Sequence, residues 1–173
     1  GLKGSGAMIL RKNIELLPLL SGGNQEDGLR SSTVSVSMAY TIALAIRRAM
    51  SEYKISIARI TALNSFLRSH FAKQSGIIIN SPEKGSPYIF NFSLLEKKAS
   101  VVVEALSNED IMISSVSACH AKTNQFSHVL KALGRDDVAS SNPLRISFDS
   151  QTSQDEISTF IQAFDSMIAR IRS

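Results

Sequence analysis

The sequence predicts a mixed α and β fold, in which a small sheet carries helices packed on one face. Three observations lead there. The first half places Val34, Met38, Ile42, Ala45, Ile46 and Ala49, then Ile60, Leu63, Leu67 and Phe71, at helical spacing. After Gly76, short β-branched or aromatic runs alternate with helical stripes, the pattern of strands and helices that share one core. No uninterrupted apolar run approaches the roughly 20 residues a membrane-spanning helix needs.

Element by element, residues 1–11 read as a glycine-punctuated turn leading into a short apolar strand, Ala7-Met8-Ile9-Leu10. Residues 21–33 are polar and rich in small residues, which predicts a loop. Its end, Ser31-Ser32-Thr33, offers side-chain oxygens to cap the helix that follows. The two apolar stripes beyond it predict two long amphipathic helices joined near Ser51. Ile77-Ile78-Ile79 and Tyr88-Ile89-Phe90, separated by Ser81-Pro82-Glu83-Lys84-Gly85, predict a strand pair. A helix is expected over 97–106 and a strand at Ile111-Met112-Ile113. Phe126, Val129, Leu130 and Leu133 make a short helical stripe, which Gly134 can end in the left-handed conformation. A strand follows Pro143 over 144–148. The last helix is the clearest: Ser153 and Glu156 form a capping box, and Ile157, Phe160, Ile161, Phe164, Ile168 and Ile171 form its apolar face.

Composition narrows the function. Of 173 residues 43% are apolar, enough for one ordinary core and a small appended segment. The net charge of +4 comes from 19 basic and 15 acidic residues that are interleaved along the chain, the pattern of a solvated surface. With no basic stripe, three Tyr and no Trp, neither a nucleic-acid nor a membrane partner is expected. The N-terminus lacks a secretory signal pattern. A single cysteine excludes an internal disulfide and suits a reducing cytoplasm.

That cysteine, Cys119, falls between a predicted strand and a predicted helix, hence on a loop. His120 and Lys122 could lend it the positive charge that favours a thiolate. Two readings stand side by side, a reactive nucleophile and a small core residue. Cys119, His120 and His128 match no zinc spacing, so no metal is expected. His70 reads as a packing or surface residue, and Asp136-Asp137 as surface or capping groups. Arg145 alternates with Leu144 and Ile146 and so occupies the opposite sheet face. Its planar fork suits either a substrate carboxylate or a structural acid. The loop over 22–33 opens a helix with hydroxyl groups, which is either a phosphate site or an ordinary glycine-rich cap.

Three segments carry a family resemblance. Gly22-Gly23-Asn24-Gln25-Glu26-Asp27-Gly28-Leu29-Arg30-Ser31-Ser32-Thr33 is similar to Gly-Gly-Gly-x-Glu-x-Gly-x-Arg-Ser-Gly-Thr. Ser114-Ser115-Val116-Ser117-Ala118-Cys119 resembles Ser-Ser-Gly-Ser-Ala-Cys, followed by Val129-Leu130-Lys131-Ala132-Leu133-Gly134 for Val-Leu-Arg-Ala-Leu-Gly. Leu144-Arg145-Ile146-Ser147 resembles Ile-Arg-Phe-Ser. In this order they resemble the C-terminal part of cysteine desulfurases, pyridoxal-phosphate enzymes of the class V aminotransferase family. The resemblance implies the C-terminal domain of the fold-type I transferase fold. Residues 1–32 would then end the large cofactor-binding domain, and 33–173 would form linking helices and the small domain.

For the intact protein the resemblance implies conversion of L-cysteine to L-alanine by a homodimer. The sulfur would be held as a persulfide on Cys119 for an acceptor or scaffold protein in iron–sulfur cluster assembly or thiolation. Arg145 would clamp the substrate carboxylate, and Thr33 would bind the phosphate of pyridoxal 5'-phosphate across the homodimer interface. The opening Gly1-Leu2-Lys3-Gly4-Ser5-Gly6-Ala7 resembles the stretch just after the lysine that binds the cofactor covalently. That lysine is therefore expected before Gly1, Lys3 does not take the role, and the fragment alone is expected to be inactive. Asn24, Ser32, Val116 and Asp149 stand where the family has glycine. These departures keep a second reading open, a non-catalytic dimerisation or docking module. A third is a related class V aminotransferase or selenocysteine lyase.

Overall fold

A computed structural model of the protein describes residues 3–115 and 127–172. The chain divides into two compact units, Gly1–Lys54 and Ile55–Ser173.

In the first unit a left-handed turn at Gln25–Gly28 precedes a long helix, α1 (Val36–Phe71), which continues into the second unit. No described residue up to Lys54 is buried. The strand expected at Ala7-Met8-Ile9-Leu10 does not form, because among the described residues no other segment pairs with it and a strand exists only through a partner's backbone groups. The two helices expected to meet near Ser51 are one. No Pro or Gly interrupts residues 50–55, and the Ser51 hydroxyl folds back on the Arg48 carbonyl at 2.8 Å without breaking the ladder.

The second unit holds the last turns of α1, then β1 (Ile77–Ile79), β2 (Ile89–Leu94), α2 (Ala99–Ser107) and β3 (Ser114–Ser115). After residue 126 come α3 (His128–Ala132), α4 (Asp137–Ser141), β4 (Pro143–Ser147) and α5 (Gln154–Arg172). The four strands form one antiparallel sheet in the order β1-β2-β4-β3. The strand expected at 111–113 instead pairs as Ser114–Ser115, further along the chain. The helix α4 escapes the periodicity because it is one short turn set by its cap, with the Asp136 carboxylate accepting from the Ala139 amide at 2.8 Å.

Strand alternation divides the sheet. Phe90, Phe92, Leu94, Leu144 and Ile146 point to one face and are buried together with Ile60, Leu63, Leu67 and Phe71 of α1. Val102 and Leu106 of α2 and Ile157, Phe160, Ile161 and Phe164 of α5 complete this core. Phe71 lies at its centre, with ring centroids 4.7 Å from Phe92, 5.0 Å from Phe164, 5.6 Å from Phe90 and 6.1 Å from Phe160. Full burial of each such side chain contributes about 1.5–3 kcal/mol, and offset aromatic pairs add about 0.5–1.5 kcal/mol. The capping box at α5 is complete: the Ser153 amide donates to Glu156 Oε2 at 2.7 Å, and the Glu156 amide donates to Ser153 Oγ at 3.2 Å. Helices thus cover one face, and among the described residues the short α4 reaches the other, where the Ser93 hydroxyl donates to the Ala139 carbonyl.

Candidate functional site

The open face of the sheet presents a polar row. Asn91 of β2 pairs with Arg145 of β4, and Arg145 pairs with Ser114 of β3. Directly opposed residues in an antiparallel sheet project from the same face, so the three side chains stand side by side. Arg145 and Ser114 are exposed and Asn91 is half-buried. Among the described residues no carboxylate pairs with Arg145, and residues 116–126 contain no Asp or Glu. The structural acid considered for this arginine is therefore not found among the described residues, and a planar fork of this kind can pair with a carboxylate.

Asn91, at one end of the row, is held in place by Asn80. Asn80, buried at 1% exposure, donates through Nδ2 to Asn91 Oδ1 at 2.9 Å and to Ser93 Oγ at 2.7 Å. Asn80 Oδ1 is buried with no hydrogen-bond partner among the described residues. Arg135 ties the neighbouring backbone down, donating through Nη2 to the Asn80 carbonyl at 3.0 Å and the Ile79 carbonyl at 3.3 Å.

Cys119 lies outside the described residues, as do His120, Lys122 and Val116. The chain on either side of that segment is described. Upstream, Ser115 pairs with Leu144, beside Arg145. Downstream, Ser127 is buried, its amide donates to the Ser140 carbonyl at 3.4 Å, and its hydroxyl caps α3 by accepting from the Leu130 amide at 3.4 Å. The two attachment points, Leu144 and Ser140, belong to one stretch of chain that runs from α4 into β4. Gly134, at φ 73°, ends α3 in the left-handed conformation its sequence predicted.

In the first unit Thr33 is exposed and precedes the first turn of α1. The cap expected from Ser31-Ser32-Thr33 is not made, because the helix starts later, at Val36. The Ser35 carbonyl accepts its first bond, from the Ala39 amide at 3.0 Å. Ser31 Oγ donates instead to the Gly23 carbonyl at 2.6 Å, and Arg30 donates to Ser32 Oγ. Glu26 (φ 53°), Asp27 (φ 55°) and Gly28 (φ 77°) are consecutive left-handed residues. The two that carry a Cβ cost roughly 1–2 kcal/mol each. The first turn of α1 contains no acid, so nothing there opposes a phosphate at the positive end of the helix.

No family model matches the chain. A NifS/IcsS protein homolog of Lactobacillus delbrueckii subsp. bulgaricus is 33% identical over 167 residues, covering 95% of this chain and 43% of the relative. The mitosomal cysteine desulfurase of Encephalitozoon cuniculi is 36% identical over 160 residues, covering 91% of this chain and 37% of the relative. A solved NifS-like protein superposes with a TM-score of 0.75 at 27% identity, over 92% of this chain and 41% of its own. By sequence this chain is similar to cysteine desulfurases over nearly its whole length. It spans less than half the length of the curated cysteine desulfurases it matches.

The cysteine desulfurase likeness and the sheet bear on the glycine departures. Asn24, Ser32 and Asp149 all avoid positive φ, so none of them needs glycine's freedom here. Asp149 does more, since its Oδ1 accepts from the amides of Gln151 at 2.6 Å and Thr152 at 2.9 Å and so builds the turn into α5. Sequence reasoning missed Asn91. Its signal was legible in Phe90-Asn91-Phe92, where alternation puts a lone amide on the face opposite two core phenylalanines.

Proposed function

We propose that this chain is the C-terminal part of a cysteine desulfurase that converts L-cysteine to L-alanine and passes the sulfur on through Cys119. The observation that carries the reading is Arg145, an exposed guanidinium with no acid partner among the described residues, beside the strand that leads to Cys119. In this reading Arg145 holds the substrate carboxylate by two parallel hydrogen bonds. Cys119 lies four positions beyond Ser115, a reach of at most about 14 Å, which suits a thiol that must meet a substrate held at Arg145.

The Cys119 thiolate attacks the substrate sulfur. A sulfur–sulfur bond forms, the carbon–sulfur bond breaks with its electron pair left on the carbon side, and a proton taken up there gives L-alanine. Pyridoxal 5'-phosphate, when bound, supplies the electron sink for this cleavage. Thr33, ahead of the acid-free first turn of α1, would hold its phosphate. No lysine of this chain is assigned its covalent link, so the fragment alone is inactive in this reading. Residues 1–32 belong to the large domain and 33–173 to the linking helices and small domain.

The working protein is proposed to be a cytoplasmic homodimer that delivers sulfur to an acceptor or scaffold protein for iron–sulfur cluster assembly or thiolation. Exposed apolar side chains in the first unit, Ile9 at 97%, Leu17 at 96% and Leu19 at 91%, support a covered interface in the assembled enzyme. Among the described residues no helix is long and apolar enough to cross a membrane. The test is product analysis on the full-length protein given L-cysteine with a thiol reductant. L-alanine and sulfide in equal amounts, with sulfide lost in Cys119→Ser, is the expected result. Sulfide production undiminished in that variant would remove Cys119 from the mechanism.

A further inference from the structure

The donors and acceptors around Asn80 have one consistent arrangement. The Ala139 carbonyl can only accept, so the Ser93 hydroxyl spends its single proton there. Ser93 Oγ must then accept from Asn80, which makes the Asn80 atom facing it the amide nitrogen. The same nitrogen faces Asn91 at 2.9 Å, so the Asn91 atom that receives it is the carbonyl oxygen. This fixes the Asn91 side chain with its carbonyl engaged. Its own amide N–H groups make no hydrogen bond among the described residues. They sit on the open face in register with Arg145.

The cost of this arrangement argues for a use. Asn80 Oδ1 is left buried without a partner among the described residues, and an unmet buried acceptor is destabilising. An apolar pair at these positions would avoid that cost. What the chain of bonds delivers is an oriented neutral donor beside a cation that has no acid partner among the described residues, and a carboxylate is the ligand that accepts from both.

We infer that Asn91 is a specificity-determining residue that donates a hydrogen bond to the substrate carboxylate alongside Arg145. The inference rests on the proposed role of Arg145 as the carboxylate clamp, and it adds a second donor from a different strand. A neutral amide beside the guanidinium favours a carboxylate over a phosphate, because it adds geometry without further charge.

The experiment compares Asn91→Ala, Asn91→Asp and Arg145→Ala in the full-length enzyme with L-cysteine as substrate, following KM, kcat and thermal unfolding. Loss of one hydrogen bond to a charged group should raise KM about tenfold in Asn91→Ala with kcat changed less than about twofold. Asn91→Asp should raise KM further, because its carboxylate faces Arg145 and competes with the substrate for the guanidinium. If Arg145→Ala raises KM while both Asn91 variants leave it unchanged, the inference is overturned and the clamp stands. If Asn91→Ala lowers the unfolding temperature and kcat without moving KM, the residue is only structural and the inference is again overturned. If Arg145→Ala leaves KM unchanged, the clamp reading itself fails and takes the inference with it.

Discussion

Ser114 stands directly across from Arg145 on the β3–β4 ladder, so the strand that leads to Cys119 is hydrogen-bonded to the strand that carries the exposed guanidinium. The described end of the chain that leads to Cys119 and the proposed carboxylate clamp are thereby held on neighbouring strands by backbone bonds. That relation makes Arg145 the residue whose loss should be felt in substrate affinity.

In the full-length enzyme Arg145→Ala should lower kcat/KM for L-cysteine by roughly ten- to a hundredfold, since hydrogen bonds to charged groups contribute about 1.5–3 kcal/mol. Arg145→Lys keeps the charge but not the two parallel bonds, and should recover only part of the loss. Steady-state kinetics on the two variants checks this. Equal kcat/KM in Arg145→Ala and the parent would remove the clamp.

Asp149 gives a prediction that runs against the family pattern. Restoring glycine with Asp149→Gly removes the acceptor for the Gln151 and Thr152 amides and frees the backbone of the unfolded chain. It should therefore destabilise the protein, by about 1 kcal/mol. Urea unfolding of the two proteins measures it, and a more stable glycine variant would contradict this account of the turn.

Phe71→Ala should be the costlier change. The ring is 1% exposed and touches four other phenylalanines, so its removal leaves a cavity at the junction of α1, β2 and α5. A loss of about 3–5 kcal/mol is expected in chemical unfolding. A loss under about 1 kcal/mol would mean the core is centred elsewhere.

These residues also show what the sequence made legible. The Ile60-Leu63-Leu67-Phe71 stripe of α1, the stripe of α5 from Ile157 to Ile168, the Ser153–Glu156 box and the alternation that exposes Arg145 are local patterns of period and spacing, and each appears in the structure as read, whereas the stripe from Val34 to Ala49 is not buried. The misses came from partners distant in sequence. Ala7-Met8-Ile9-Leu10 has strand composition but no partner strand among the described residues, and β3 settled on Ser114–Ser115 because β4 pairs there rather than with the more apolar 111–113. The break expected near Ser51 rested on a change of stripe, which a continuous helix tolerates when no Pro or Gly is present. Asn91 went unnoticed because its meaning depends on Asn80, Ser93 and Ala139, which come together only in the folded sheet.

The most direct test of the central claim is the intact mass of the full-length enzyme after a single turnover with L-cysteine in the absence of any sulfur acceptor or reductant. The account predicts a gain of one sulfur atom located on Cys119 by peptide mapping, abolished in Cys119→Ser and reduced in Arg145→Ala. L-alanine formed at the parent rate while Cys119 stays an unmodified thiol would contradict it.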